Sequence, residues 1–198
     1  IDTQTIKEYN QRDWVLKRPT ALGGDFSVKT ERELYFGDDG IAYGDCTYSS
    51  GLAKLFDEAI TNATDNYQRC PKLKDAIEIN IYPDHFTIKN FGPSLDIAKQ
   101  LSTDGKEYYI PEITFSHFNS SSNYNDEEVR MANGQNGVGI KLTNVFSTRF
   151  EVCVVNKGTK YVQVFTDNMG TIHSPTISKT RERNSVMITS YPDFERLG

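Results

Sequence analysis

The clearest pattern along the chain is an apolar stripe between positions 50 and 68. Apolar residues recur there at helical spacing, namely Leu52, Leu55, Phe56, Ala59, Ile60 and Ala63. The pattern predicts an amphipathic helix that opens at 48–51 and runs to about Gln68. Ser49 or Ser50 is expected to cap its first turn, because a serine hydroxyl accepts hydrogen bonds from the free N–H groups at a helix start.

Strict alternation of apolar and polar residues predicts strands elsewhere in the chain. One hairpin is predicted from 76–82 and 86–90 about Pro83-Asp84, and a second from 149–155 and 159–165 about Asn156-Lys157-Gly158. A last strand is predicted at 185–190. Short helices are expected around 95–101, 113–118 and 140–146.

The remaining segments lack a clear period. Residues 1–47 are expected to be irregular, because Lys17-Arg18-Pro19 and Gly23-Gly24 interrupt any pattern, and 192–198 is expected to trail off. Residues 119–139 are polar and glycine-bearing, which is typical of a lid or binding loop. With 198 residues, the sequence predicts one α+β domain with helices on one side of a mostly antiparallel sheet.

Composition and charge narrow the class of protein. The 22 basic and 27 acidic residues give a net charge of −5, so the chain as a whole does not resemble a primary DNA-binding surface. The three cysteines are far apart and odd in number, which favours an intracellular, reducing location. No apolar run is long enough to predict a membrane span.

The first candidate site is a polar stripe on the long helix. Glu58, Asn62 and Asp65 are spaced i, i+4 and i+7, so they share one side, beside the apolar stripe. A carboxylate there can orient and deprotonate water, and an amide oxygen one turn later can ligate magnesium. The alternative is a solvated helix edge on which Lys54 pairs with Glu58.

Two loops supply further candidates. Residues 134–141 read Gly-Gln-Asn-Gly-Val-Gly-Ile-Lys and open a helix, which suits a phosphate-binding loop, although a flexible turn is the alternative. The segment is not a Walker A loop, because Ile140 separates Gly139 from Lys141. Residues 120–124 form a serine-rich loop whose hydroxyls could bind ribose and phosphate oxygens.

In this order, these pieces resemble the ATPase region of type IIA DNA topoisomerases. That region has the GHKL (Bergerat) fold, which is shared with gyrase B, a molecular chaperone and histidine kinases. The resemblance rests on the helix from Leu55 to Asn66, the serine loop from Ser121 to Tyr124 and the segment from Asn133 to Phe150. The serine loop and Phe-Ser-Thr-Arg-Phe at 146–150 place the chain nearer the eukaryotic, viral and phage enzymes than gyrase.

The resemblance implies a domain layout and a set of roles. All of 1–198 would be the ATPase domain, with 1–47 strap-like and 119–139 forming the ATP lid and nucleotide loop. The transducer domain that follows in the family is expected to be absent. Glu58 would be the general base, and Asn62 would hold Mg²⁺. The ATP-binding positions would be Asn62, Asn66, Asn90, Ser121, Ser122, Asn123, Gly134, Gln135, Asn136, Gly137, Val138, Gly139 and Lys141.

The resemblance also implies partners. ATP and Mg²⁺ are the expected ligands, a homodimer is expected in the full-length enzyme, and DNA would be bound through other domains. The isolated fragment is expected to be weakly active. The chain departs from the family pattern at Ser94, Gln135 and Asn133. A nucleotide-binding dimerisation switch without hydrolysis, and another GHKL member such as a chaperone or histidine kinase, remain alternatives.

Overall fold

The structure, a computed structural model, describes residues 9–22, 25–68, 75–118 and 138–197. Its strands are β1 (Val28–Gly37), β2 (Gly40–Ser49), β3 (Glu78–Ile81), β4 (Phe86–Phe91), β5 (Lys99–Leu101), β6 (Glu107–Tyr109), β7 (Ser147–Asn156), β8 (Thr159–Thr166), β9 (Thr171–Ile172), β10 (Thr176–Lys179) and β11 (Ser185–Pro192). Its helices are α1 (Gln11–Lys17), α2 (Pro19–Leu22), α3 (Ser50–Gln68), α4 (Ile110–Ser116), α5 (Gly139–Val145) and α6 (Phe194–Leu197).

The centre of the fold is a seven-stranded sheet whose described pairings are all antiparallel. The strand order is β10-β8-β7-β11-β4-β3, and the short β9 pairs with β8. Every second residue of the central strands points to one side and is buried, and these include Phe86, Ile88, Phe150, Val152, Val154, Tyr161, Phe165 and Ile188. The α+β prediction with a mostly antiparallel sheet is confirmed.

Helices cover this buried side of the sheet. The long helix α3 contributes Leu55, Ala59 and Ala63, each at most 4% exposed. Phe56 packs its ring edge against Phe86 of β4, with the ring centroids 5.0 Å apart. The start of α3 is as predicted, because the Ser49 hydroxyl accepts a hydrogen bond from the Leu52 amide at 3.3 Å.

The prediction that 1–47 is irregular is wrong for the part that the structure describes. Asn10 caps α1, accepting from the Asp13 amide at 2.9 Å, and Val15 of α1 is buried in the core. The strands β1 and β2 form a separate two-stranded hairpin that turns at Asp38-Asp39. Its β1 strand is exposed on both faces, so burial imposes little alternation on it. The strap-like role of this segment stays a prediction.

Three smaller predictions are also corrected. No helix forms at 95–101. Residues 95–98 have no regular structure, and 99–101 form the strand β5, which pairs with β6 across a turn containing Gly105. The positive φ of Gly105, +80°, suits this reversal and is uncommon for residues with a side chain. The expected trailing end contains the short helix α6, whose Leu197 is buried. The strands β9 and β10 were not predicted, since they are short and lie at the exposed sheet edge.

Candidate functional site

Glu58 of α3 lies against the first residue of α5. A Cβ atom added to Gly139 would overlap the Glu58 carboxylate, so a side chain at this position would require Glu58 or the start of α5 to move. Two buried hydrogen bonds hold α5 in place here. The Thr143 hydroxyl donates to the Leu55 carbonyl of α3 at 3.0 Å, and the Asn144 amide donates to the Phe115 carbonyl of α4 at 3.0 Å. The helix carboxylate and the glycine-loop helix therefore meet at one place.

The Glu58 carboxylate is also paired with a lysine of its own helix. Lys54 Nζ lies 2.7 Å from Glu58 Oε1, and the Glu58 side chain is 24% exposed. The ion pair raises the pKa of Lys54, chiefly through the hydrogen bond to Glu58. The helix-edge ion pair considered from the sequence is thus present, and it coexists with the contact between Glu58 and Gly139. Lys54 holds one carboxylate oxygen while the other faces α5.

The two asparagines that follow Glu58 on α3 have different partners. Asn62 donates from Nδ2 to the Glu58 carbonyl at 2.6 Å. Asn66 donates from Nδ2 to the Pro93 carbonyl at 3.0 Å, which ties α3 to the turn after β4. That turn needs Gly92, whose φ is +103°, and the Ser94 hydroxyl donates to the Ser185 carbonyl at 3.0 Å. The turn therefore closes with Ser94 in place of a glycine.

Asn90 is the most unusual polar group of the site. The residue is 6% exposed, and its Nδ2 is buried without a hydrogen-bond partner in the described part of the chain. Leaving a buried donor unpaired costs about 1–3 kcal/mol. An unpaired buried amide on a strand beside α3 is therefore a group suited to a ligand that supplies an acceptor.

Lys141 brings a buried positive charge to the same helix. It is 2% exposed, and burial lowers its pKa to about 8. His117, at the end of α4, also has a lowered pKa, first because of burial and with a smaller contribution from Lys141; Glu112 and Asp104 act in the opposite direction. No periodic or motif signal in the sequence points to His117. Asp65 is buried as well, at 7% exposure, although the sequence analysis placed it on the polar stripe beside the apolar one.

The structure brings together part of the predicted site. Glu58 lies against Gly139, and Lys141 follows Gly139 on α5, while Asn62 and Asn66 extend the same helix as Glu58. Val138 precedes α5, and its carbonyl accepts from the Lys141 amide at 3.0 Å. The other predicted ligands lie outside the described residues, and they are Ser121, Ser122, Asn123, Gly134, Gln135, Asn136 and Gly137.

Two negative findings complete the description. No helix in the described ranges has both the length and the apolar character needed to cross a bilayer. Within the same ranges, no three His, Cys, Asp or Glu side chains are grouped as metal ligands.

Comparison with known proteins relates this arrangement to one family. No family model matches the chain. DNA topoisomerase 2 of Saccharomyces cerevisiae is 37% identical over 201 residues, which cover 97% of this chain and 14% of that protein. DNA topoisomerase 2 of Pisum sativum is 34% identical over 203 residues, covering 99% of this chain and 14% of that protein. The chain thus spans about one seventh of the relatives that it matches.

Solved structures give the same answer. The ATPase region of Saccharomyces cerevisiae topoisomerase II bound to ICRF-187 superposes with a TM-score of 0.90 at 32% identity, covering 98% of this chain and 52% of that one. The ATPase and transducer domains of DNA topoisomerase II from Balamuthia mandrillaris also give a TM-score of 0.90 at 32% identity, covering 100% of this chain and 52% of that one. The chain is therefore a homologue of the ATPase region of eukaryotic-type topoisomerase II, in sequence and in fold.

Proposed function

We propose that this chain binds ATP with Mg²⁺ and hydrolyses it as the nucleotide-binding module of a type II DNA topoisomerase. The observation that carries the proposal is the contact between the Glu58 carboxylate and Gly139 at the start of α5. A triphosphate held by the glycine loop before α5 would lie beside a carboxylate that can orient an attacking water.

The surrounding residues suit the different parts of the nucleotide. Lys141 supplies a buried cation for the phosphates, and burial lowers its pKa because the charged form loses hydration. The unpaired Nδ2 of Asn90 suits the acceptor edge of a base. Ser121, Ser122 and Asn123 would contact the sugar and phosphates, and residues 119–139 would act as the lid.

The residues also fit a magnesium ion. Mg²⁺ prefers oxygen ligands, keeps several waters and is commonly held by one or two protein groups together with substrate phosphates. Asn62 offers an amide oxygen one turn after Glu58 on α3. When bound, the ion would offset negative charge on the phosphates, and Asn62 is the residue that would hold it.

The role of Glu58 is tested with Glu58→Gln, which keeps the shape of the side chain and removes its basicity. We expect ATP turnover to fall by at least about 10²-fold, the size of a general-base contribution, while the affinity for a non-hydrolysable ATP analogue changes little. Turnover is measured by phosphate release and affinity by calorimetry, with and without magnesium. The matched control is Glu78→Gln, the same change at an exposed glutamate of β3, which should leave turnover unchanged.

A second candidate is a nucleotide-binding switch that does not hydrolyse ATP. The ion pair between Lys54 and Glu58 favours it, because one carboxylate oxygen already contacts an ammonium group at 2.7 Å and is less available to an attacking water. Equal phosphate release by the wild type and Glu58→Gln, both at the uncatalysed rate, would select this candidate. The Lys54→Gln variant is informative here, since releasing Glu58 should raise turnover if the carboxylate is the base.

The role of the longer protein follows from the same family. We infer that it is an intracellular homodimer in which ATP binding drives dimer closure for DNA strand passage, with DNA contacted through domains outside this chain. The net charge of −5 supports this division of labour, because a DNA-binding surface is usually basic. The test is relaxation of supercoiled DNA by the longer protein in the presence and absence of ATP.

A further inference from the structure

The hairpin of β1 and β2 exposes an apolar tip that the proposed nucleotide site does not use. Four large side chains on one face of the hairpin are 62–84% exposed, and they are Leu34, Phe36, Ile41 and Tyr43. Leu34 lies opposite Tyr43, and Phe36 lies opposite Ile41, so the four form one contiguous patch. Exposed contiguous apolar patches mark interaction sites more often than isolated apolar residues do.

The rest of this face is polar and electrically balanced. Below the apolar tip, Arg32 lies opposite Asp45 with Nε 3.5 Å from Oδ1, and both side chains are more than two-thirds exposed. Next to them, the hydroxyls of Thr30 and Thr47 are hydrogen-bonded at 2.8 Å. The hairpin face, defined as these four cross-strand pairs, therefore carries one positive and one negative charge.

We propose that the hairpin face binds the hairpin face of a second copy of this chain. A twofold axis that runs along the hairpin, midway between the two stacked faces, exchanges the positions of β1 and β2. In this arrangement, each residue of one copy faces, on the second copy, the residue with which it is paired across the strands within its own hairpin. Arg32 then faces Asp45 of the second copy, Leu34 faces Tyr43, and Phe36 faces Ile41.

The pairing pattern on the opposite side of the hairpin argues against that side as the contact. Glu31 and Glu33 lie there on β1, and their register partners on β2 are Cys46 and Gly44. The same twofold operation would therefore leave these carboxylates without an opposite charge. The nearby Lys29 is already paired with Asp25 at 2.5 Å. Of the two sides of the hairpin, the hairpin face is the one whose charges are complementary to themselves under this twofold operation.

The size of the patch sets the strength of the association. A fully buried aromatic side chain contributes about 200 Å², so four side chains that are 62–84% exposed can bury less than about 700 Å². This area falls short of the roughly 800 Å² per partner of a standard stable interface. We therefore expect a weak dimer that forms at high protein concentration. It requires no nucleotide, which separates it from the dimer closure inferred above.

The test is sedimentation velocity of the nucleotide-free chain from about 10 µM to about 1 mM, because association depends on concentration. The wild type is expected to shift from monomer to dimer. Phe36→Ser and Leu34→Ser should each weaken the association at least tenfold. Ile81→Ser is the matched control, since Ile81 is 71% exposed but lies on β3, outside the hairpin face. A wild type that stays monomeric throughout overturns the proposal and leaves the tip to a different protein.

Charge reversal tests the twofold geometry itself. Arg32→Asp puts two acidic groups on the face and Asp45→Arg puts two basic groups there, so each variant alone should remain monomeric. Mixed together, the two variants should form a one-to-one dimer, although both remain net negative. Thermal melting by circular dichroism confirms that each variant is folded. Failure of the mixture to associate, or self-association of either variant at wild-type strength, overturns the face-to-face arrangement.

Discussion

Single residues of the site are constrained by their contacts with one another. Gly139 is the clearest case, because any side chain there would overlap the Glu58 carboxylate. Gly139→Ala must displace Glu58 or the start of α5, and we expect nucleotide affinity to fall at least tenfold. The measurement is calorimetric titration with a non-hydrolysable ATP analogue. Gly37→Ala, where an added Cβ would make only ordinary contacts, is the control for the general cost of replacing a glycine, and a wild-type affinity for Gly139→Ala would contradict the assigned contact.

The buried charge of Lys141 gives a pH-dependent prediction. Its pKa falls from 10.5 to about 8 on folding, so between pH 8 and 10.5 the unfolded chain binds more protons than the folded one. This residue therefore makes the folded state more stable as the pH rises through that range. Below pH 8 the lowered pKa corresponds to a loss of about 3 kcal/mol in the free energy of unfolding, relative to a lysine with an unshifted pKa, because each pKa unit is worth 1.36 kcal/mol.

Lys141→Met removes the titrating group while keeping the length of the side chain. We expect the free energy of unfolding of the wild type to rise relative to that of the variant between pH 8 and 10.5, by up to about 3 kcal/mol, as measured by urea denaturation. The variant should also lose nucleotide affinity, because the phosphates lose their buried cation. A difference between the two proteins that stays constant over this pH range would contradict the lowered pKa.

At the scale of elements, α5 is held at both ends. Its carboxyl end contacts a turn from a later part of the chain, in which Asp167, Asn168 and Met169 all have positive φ, at 57°, 57° and 61°. Asn168 donates from Nδ2 to the Val145 carbonyl of α5 and to Asp193, both at 3.0 Å. Arg12 of α1 donates to the carbonyls of Asp167 and Asn168, each at 2.6 Å. The turn thus joins α5 to the N-terminal helix.

Asn168→Ala is expected to destabilise the chain by about 2–4 kcal/mol. The change removes a hydrogen bond to a charged acceptor and places a side chain less tolerant of left-handed φ in the turn. Asn168→Gly is the matched variant, since glycine keeps the backbone freedom and loses only the hydrogen bonds, so it should cost less. Urea denaturation measures both, and an equal loss for the two would mean that the backbone conformation contributes nothing.

At the scale of the whole molecule, this chain is expected to bind nucleotide but hydrolyse it slowly. In the family that it resembles, a lysine of the following domain touches the terminal phosphate, and a cation supplied from elsewhere can contribute 10³-fold or more, roughly, to phosphoryl transfer. We expect the longer protein to turn over ATP at least about 10²-fold faster than this chain at equal nucleotide saturation. Steady-state phosphate release measures both rates, and equal rates would place the whole catalytic apparatus within these 198 residues.

The sequence by itself determined the elements that bury one side. The helix α3 and the strands β4, β7, β8 and β11 could be predicted because burial imposes a period on apolar residues, and that period is visible without knowing the partner. The motif order likewise determined the family. The strand β1 escaped prediction for the opposite reason, since a strand exposed on both faces carries no burial pattern.

Only the tertiary structure decided which distant residues meet. No local pattern shows that Glu58 lies against Gly139, that the Asn90 amide is buried with no partner among the described residues, or that Arg12 reaches the turn at Asp167. Such contacts depend on how α3, α5 and the sheet pack, and the sequence period records only that a side chain is buried. It does not record which side chain buries it, because many neighbours satisfy the same apolar requirement.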